Sequence, residues 1–188
     1  MKHPFLVGNQ VYLRALEKED LSGNYFQWFN DEEVCRFNSH GRFPNNMQRM
    51  EAYLLRSFTD PTLSVFAIIY QENNVHVGNV CLQMINYIDR SGEYAIVLGE
   101  KDYWGKGIAR ESSDLILRYG FMTLNLNRIY CGTAADNIAM HKLAVYMGMV
   151  EEGRRREAIY KNGVYHDIVE YGILRREYLD LQNGKTRK

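Results

Sequence analysis

The run Tyr103-Trp104-Gly105-Lys106-Gly107-Ile108-Ala109 limits the fold of this chain more sharply than any other stretch. It follows Glu93 to Leu98, which reads as a strand, and opens Ile108 to Met122, a long amphipathic segment that reads as a helix. Small residues at such a junction let backbone N–H groups turn inward, and the helix start adds the positive end of its dipole. A strand–glycine–helix junction of this kind is a place for phosphate. Two nucleotide-binding signatures fail on spacing. A P-loop needs Gly-Lys-Ser/Thr at its end, whereas Gly107 is followed by Ile108. A dinucleotide fingerprint needs a third glycine where this chain has Arg110, and needs it after the first strand, whereas this loop comes late.

The surrounding pattern mixes strands and helices. Val11-Tyr12-Leu13 reads as a short strand, Leu16 to Phe29 as a helix capped near Asp20, and Asn38 to Asn46 as a loop rich in Gly, Pro and Asn. A second helix follows, with Met50, Tyr53, Leu54 and Phe58 on one stripe. Ser64 to Tyr70 and Val75 to Ile85 form a hairpin, and Asp89 to Gly92 turns into Glu93 to Leu98. Arg128 to Thr133 is a strand and Asn137 to Met147 a helix. Met149 to Tyr160 and Val164 to Leu174 flank Asn162-Gly163, a two-residue hairpin turn. Antiparallel meanders with one strand–helix–strand crossover define an α/β sandwich with a mixed sheet.

Composition narrows the function classes. The 188 residues suit a single domain, expected over 1–188. Lys+Arg 23 against Asp+Glu 23 leaves no excess of cations for a general nucleic-acid or acidic-membrane binder. No apolar run approaches about 20 residues, and Met1-Lys2-His3-Pro4-Phe5 lacks a signal peptide's apolar stretch. Cys35, Cys81 and Cys131 are scattered and odd in number, as reduced thiols of a cytoplasmic protein are. His3, His40, His76, His141 and His166 lack ligand spacing, so no metal is expected.

Glu93 to Met149 resembles the core of the GNAT superfamily of acyl-CoA-dependent N-acetyltransferases. Trp104-Gly105-Lys106-Gly107-Ile108-Ala109 occupies the position of its Gln/Arg-x-x-Gly-x-Gly/Ala signature, with Trp for Gln/Arg. Asn137-Ile138-Ala139-Met140, leading to Met147-Gly148-Met149, is similar to the Asn-bearing helix and its exit. Asn162-Gly163-Val164-Tyr165-His166-Asp167 is similar to the closing hairpin of the branch holding ribosomal-protein N-terminal and spermidine acetyltransferases. The resemblance implies a GNAT-like mixed, mostly antiparallel sheet of about seven strands flanked by about four helices. It implies acetyl transfer from acetyl-CoA to a primary amine by direct attack on the thioester. The acceptor would be a protein N-terminal amine or a small amine such as a polyamine or amino sugar, and relatives suggest a homodimer. A non-catalytic acyl-CoA-binding sensor or scaffold of the same fold is the alternative.

The resemblance assigns residues as well. Ile96, Val97 and Leu98 would hold the pantetheine arm by backbone hydrogen bonds. Trp104, Gly105, Lys106, Gly107, Ile108 and Ala109 would hold the diphosphate, and Asn137 would cap its helix and touch the cofactor. An amine near pKa 10 must lose a proton to attack, so a base is needed; Glu93 at the strand start is the candidate. The position where many relatives carry a thiolate-protonating Tyr is Ala144. Tyr146 is rotated about 200° from it along the helix. The acceptor side is expected from the first two helices, the Asn38–Asn46 loop and the last hairpin, with His40, Arg42 and Tyr165 as candidates. Arg154-Arg155-Arg156 reads as a solvated strand edge.

Overall fold

The computed structural model describes residues 2–184, so both ends of the span expected to form one domain, Met1 and 185–188, lie outside the described residues. Eight strands form one sheet, in the order β1-β2-β3-β4-β5-β6-β8-β7. They are β1 (Leu6–Val7), β2 (Val11–Arg14), β3 (Ser64–Tyr70), β4 (Val75–Asn86), β5 (Ser91–Leu98), β6 (Arg128–Ala134), β7 (Val150–Lys161) and β8 (Val164–Leu174). Every pairing is antiparallel except β5 with β6. Five α-helices accompany them: α1 (Tyr25–Trp28), α2 (Met47–Thr59), α3 (Ile108–Arg118), α4 (Ile138–Tyr146) and α5 (Arg175–Gln182).

Side-chain alternation sorts the core onto two faces. β3 is buried from Val65 to Ile69, because both faces are covered. Phe66 and Ile68 join Val80, Leu82, Tyr94 and Ile129 beneath α3, α4 and α5. Val65, Ala67 and Ile69 join Cys81 beneath α1 and α2. The sheet thus separates a large cluster from a smaller one.

Several expectations need correction. The expected fold class, a mixed and mostly antiparallel sheet of about seven strands with about four helices, is not among them: the described residues form eight strands and five α-helices in that arrangement. β1 and α5 were not expected: β1 is two residues long, and α5 carries charges through much of its length. Leu16 to Phe29 is not one helix. A 3₁₀ turn over Lys18–Ser22 ends at extended Gly23, and α1 follows with four residues. Asp20 does not cap a helix of that span; its carboxylate accepts from Glu17 N at 2.8 Å, in the capping box of the short 3₁₀ turn, and pairs with Arg14 at 2.6 Å. The expected stripe survives, since Leu21, Tyr25 and Trp28 are all buried. On α2, Met50 and Leu54 are buried but Phe58 is 61% exposed, off the packed face. The α-helical part of Ile108 to Met122 ends at Arg118 and widens into a π-turn over Tyr119–Thr123. The Asn162-Gly163 turn is formed, with φ of 50° and 82°, the left-handed pair that a tight hairpin needs. It joins β7 to β8, and β7 lies at the sheet edge. There Arg154 pairs with Asp167 at 3.3 Å and Arg155 with Glu170 at 2.6 Å.

Candidate active site

The sheet opens where its one parallel pairing stops. β5 meets β6 only through Ser91, Gly92 and Glu93 against Arg128, Ile129 and Tyr130. β4 pairs with β5 all the way to Leu98, so the second half of β5 has a partner on one edge only. Gly99 N–H donates to Val77 O on β4 at 3.0 Å. Strand alternation therefore turns the peptide groups of Ile96 and Leu98 to the opposite, open edge. The Trp104 indole confirms the direction, donating to Leu98 O at 2.9 Å. That bond ties the glycine loop to the strand, a use for Trp where the signature it resembles has Gln or Arg.

Gly105 and Gly107 have φ of 74° and 84°. A Cβ at Gly105 would meet nothing within 4 Å, so this glycine serves a left-handed turn that leaves free space beside the backbone. Gly107 is the N-cap of α3 and provides no side-chain cap, leaving the first amides of an 11-residue helix without an internal acceptor. Lys106 is exposed above the Tyr103 ring at 5.0 Å. Open amides, a helix start, a lysine and clear space suit the diphosphate of CoA. Asn137 caps α4, its Oδ1 accepting from Met140 N at 3.2 Å.

Glu93 is the last residue of β5 to pair with β6, so its carboxylate stands at the vertex of the split. Gln83 Nε2 donates to its Oε2 at 2.9 Å. Alternation places Glu93 on the same face as Ala95 and Val97, which line a cavity of about 320 Å³. α1 and the segment after it supply Tyr25 and Phe29. The 38–46 loop supplies His40, Phe43 and Asn45, and α2 supplies Arg49, Met50 and Tyr53. β4 contributes Asn79, Cys81 and Gln83. The cavity reaches the open edge of β5 at Ile96 and Val97, so the two spaces adjoin.

The titrating groups around this cavity have distinct roles. Burial, helped by the charge of Glu93, pushes the Cys81 thiol up to about 12, so it stays protonated. Burial and Glu93 likewise raise Tyr130 above the ordinary phenol range. Behind the floor, Arg14, Asp20, His76 and Asn79 form a buried chain. Arg14 holds Asp20 at 2.6 Å, His76 Nδ1 lies 3.4 Å from the same carboxylate, and His76 Nε2 meets Asn79 Oδ1 at 2.8 Å.

Of the acceptor residues expected from sequence, the structure brings His40 to the cavity, its ring centre 4.6 Å from that of Phe29. Arg42 is tied to Tyr160 O at 3.2 Å, joining the loop to β7. Tyr165 lies out on the hairpin, 61% exposed and against Tyr160, away from the cavity walls. Ala144 is fully buried, and Tyr146 donates to Asp114 Oδ2 at 2.7 Å on α3. Sequence reasoning missed Tyr25, Arg49, Asn79 and Gln83. The available signal was Asn79 and Gln83 at even spacing within the otherwise uncharged, largely apolar stretch from Val77 to Ile85.

A split sheet with an amide-lined loop at its mouth defines the acyl-CoA-binding class of transferases. Residues 10–150 match the family described as "Acetyltransferase (GNAT) domain". The spermidine N(1)-acetyltransferase of Vibrio cholerae is 31% identical over 174 residues, 93% of this chain and 98% of that one. A putative ribosomal N-acetyltransferase of Bacillus subtilis is 32% identical over 101 residues, 54% of this chain and 55% of that one. The crystal structure of a spermidine N-acetyltransferase from Vibrio cholerae in complex with CoA and spermine superposes with TM-score 0.82 at 32% identity. That match covers 90% of this chain and 98% of that one. The chain belongs to the GNAT acetyltransferase family. It is an N-acetyltransferase, and the acetyl donor of the family is acetyl-CoA.

Proposed function

We propose that this protein passes the acetyl group directly to a primary amine seated in the cavity beside β5, with Glu93 as the proton acceptor. The observation that carries this reading is the parting of β5 from β6 at the Glu93–Tyr130 pair, with the cavity on one side and the glycine loop beyond. When bound, acetyl-CoA supplies the acetyl group already activated as a thioester. The open peptide groups of Ile96 and the N–H of Leu98, whose carbonyl is taken by Trp104, orient its arm, and Val97, whose peptide groups face β4, forms the wall between arm and cavity. Amides from Gly105 to Ala109 hold the diphosphate, with Lys106 adding charge; the Trp104 amide, also expected there, instead donates to Lys101 O at 3.0 Å, and Asn137 fixes the start of α4 beside them.

An alkylammonium holds its proton at pH 7, and only the neutral amine attacks. Glu93 takes that proton, directly or through a water. Gln83 fixes one carboxylate oxygen and leaves the other for the proton. Direct attack is favoured over an acetylated enzyme because Cys81, the thiol in the cavity wall, stays protonated. Ala144 has no proton to give and the Tyr146 hydroxyl is committed to Asp114, so water protonates the departing thiolate. Three buried, unpaired cysteines suit a reducing cytoplasm.

The relatives named for spermidine make a polyamine the first acceptor to assay. Release of CoA thiol from acetyl-CoA, followed over a panel of polyamines, amino sugars and peptides, tests the proposal. Release that requires an amine and is lost in Glu93→Gln supports it. Release that persists in Glu93→Gln removes Glu93 from the chemistry, and no release from any amine overturns the transfer reading.

A further inference from the structure

The chemistry of the cavity narrows the acceptor, on the reading that this cavity is where the acceptor sits. Its walls are aromatic and aliphatic, formed by Phe29, Phe43, Met50, Tyr53 and Val65. None of the described lining residues is an aspartate or glutamate, and a guanidinium, Arg49, is among them. Apart from Glu93, whose free carboxylate oxygen is assigned to the reacting amine, the acids Asp31, Glu33 and Asp20 are already engaged. Asp31 and Glu33 hold Lys101 at 2.9 and 2.7 Å, and Asp20 holds Arg14. Cations at the mouth are engaged differently. Arg42, between the lining residues Gly41 and Phe43, donates to Tyr160 O at 3.2 Å. Arg49 donates to Pro44 O at 3.3 Å, and Lys161 to Asn38 O at 2.8 Å and to Cys35 O. All three end on neutral carbonyls, so their charge remains available to an anion.

The floor carries a second signal. Tyr25 is 1% exposed, and its hydroxyl lies beside Asn79 without a hydrogen bond of normal geometry to any described group. Asn79 has already given its Oδ1 to His76. A buried hydroxyl without a partner is costly unless a ligand completes it.

A polyamine would bring further ammonium groups to this surface. There they would lie unpaired in apolar surroundings and beside like charge, which burial penalises heavily. An anionic group would instead find the cations of the mouth, and a polar atom on the body would complete Tyr25. We propose that the cavity selects a monoamine with a neutral, ring-sized body, a group that hydrogen-bonds Tyr25, and a carboxylate or phosphate at its far end, in preference to polyamines.

Matched acceptors test this. The pairs are para-(aminomethyl)benzoate with para-methylbenzylamine, and glucosamine 6-phosphate with glucosamine, each measured beside spermidine. Charge-assisted bonds predict that the anionic member of at least one pair has about tenfold or more higher kcat/KM. The responding pair tells carboxylate from phosphate. Arg42→Ala with Arg49→Ala erases the difference within that pair. Tyr25→Phe keeps Tm, and it lowers kcat/KM for glucosamine 6-phosphate about 2- to 10-fold more than for para-(aminomethyl)benzoate. Spermidine as the best acceptor, pairs that do not differ, or a difference that survives loss of both arginines overturns the proposal. Ligand-induced shifts in Tm, measured with CoA present, separate the two readings. If no amine releases thiol, greater stabilisation by the anionic amines than by spermidine keeps the cavity's selectivity while removing transfer. The reverse order removes the selectivity itself.

Discussion

At the scale of single residues, the proposed proton handling divides between Glu93 and Cys81. Both side chains lie on the same face of the β4–β5 pair, yet one is held by a hydrogen bond from Gln83 and the other is held neutral by burial. Glu93→Gln replaces the proposed base with a group of equal size. We expect kcat/KM to fall about 10²- to 10⁴-fold, with unchanged circular dichroism. Cys81→Ala should lower kcat less than about tenfold, since the thiol forms no bond to the acetyl group. Intact mass after incubation with acetyl-CoA should show no acetyl adduct at Cys81; an adduct that an amine discharges would replace direct transfer with a two-step route. Asp20 lies deeper. Burial works to raise its carboxyl pKa, but Arg14, His76 and the Glu17 amide overcome it and hold that pKa well below the usual range. A carboxylate depressed in the folded state stabilises above its unfolded pKa, near 3.9, and that stabilisation fades as pH falls below it. Asp20→Asn strands Arg14 in a buried position, so thermal unfolding at neutral pH should show a loss of about 3–5 kcal/mol. Its stability should also fall less steeply than the wild type's below about pH 4. An acid limb as steep as the wild type's would mean that other carboxylates control it.

At the scale of elements, local chemistry and tertiary pull compete, and this decides what the sequence could reveal. The hairpin at Asn162-Gly163 was legible because the two left-handed residues it needs are adjacent and unlike the strands beside them. The glycine loop was legible for the same reason. Leu16 to Phe29 was not, because its apolar stripe is the same whether one helix or two short turns carry it, and periodicity registers neither the extended Gly23 nor the Asp20 contacts to Arg14 and Glu17 N. Two-residue β1 offers too short a pattern to recognise. The loop itself carries a prediction. Gly107→Ala forces a side chain into φ 84°, a strain of about 1–2 kcal/mol, at the residue that opens α3. KM for acetyl-CoA should rise severalfold while KM for the amine changes little. Equal rises in both would place the loop outside the donor site.

At the scale of the whole molecule, one architectural event creates the site. The sheet is a continuous eight-stranded surface except where β5 and β6 diverge, and that divergence brings backbone donors, the loop and the cavity together. The proposed donor side could be named from the sequence because glycines mark the loop and backbone amides bind whatever side chains stand there. The proposed acceptor side could be named only by region. Tyr25, Arg49 and Asn79 come from three elements far apart in sequence, and each alone is an unremarked aromatic, arginine or asparagine. The central claim is that the open edge of β5 and the start of α3 hold acetyl-CoA. Amide hydrogen exchange, with and without acetyl-CoA, tests it most directly. The account predicts slowed exchange at Ile96, Leu98 and the amides from Gly105 to Ala109, with the paired strands β3 and β4 unchanged. Saturating acetyl-CoA that leaves those amides exchanging as before, or that protects another face of the sheet instead, would contradict it.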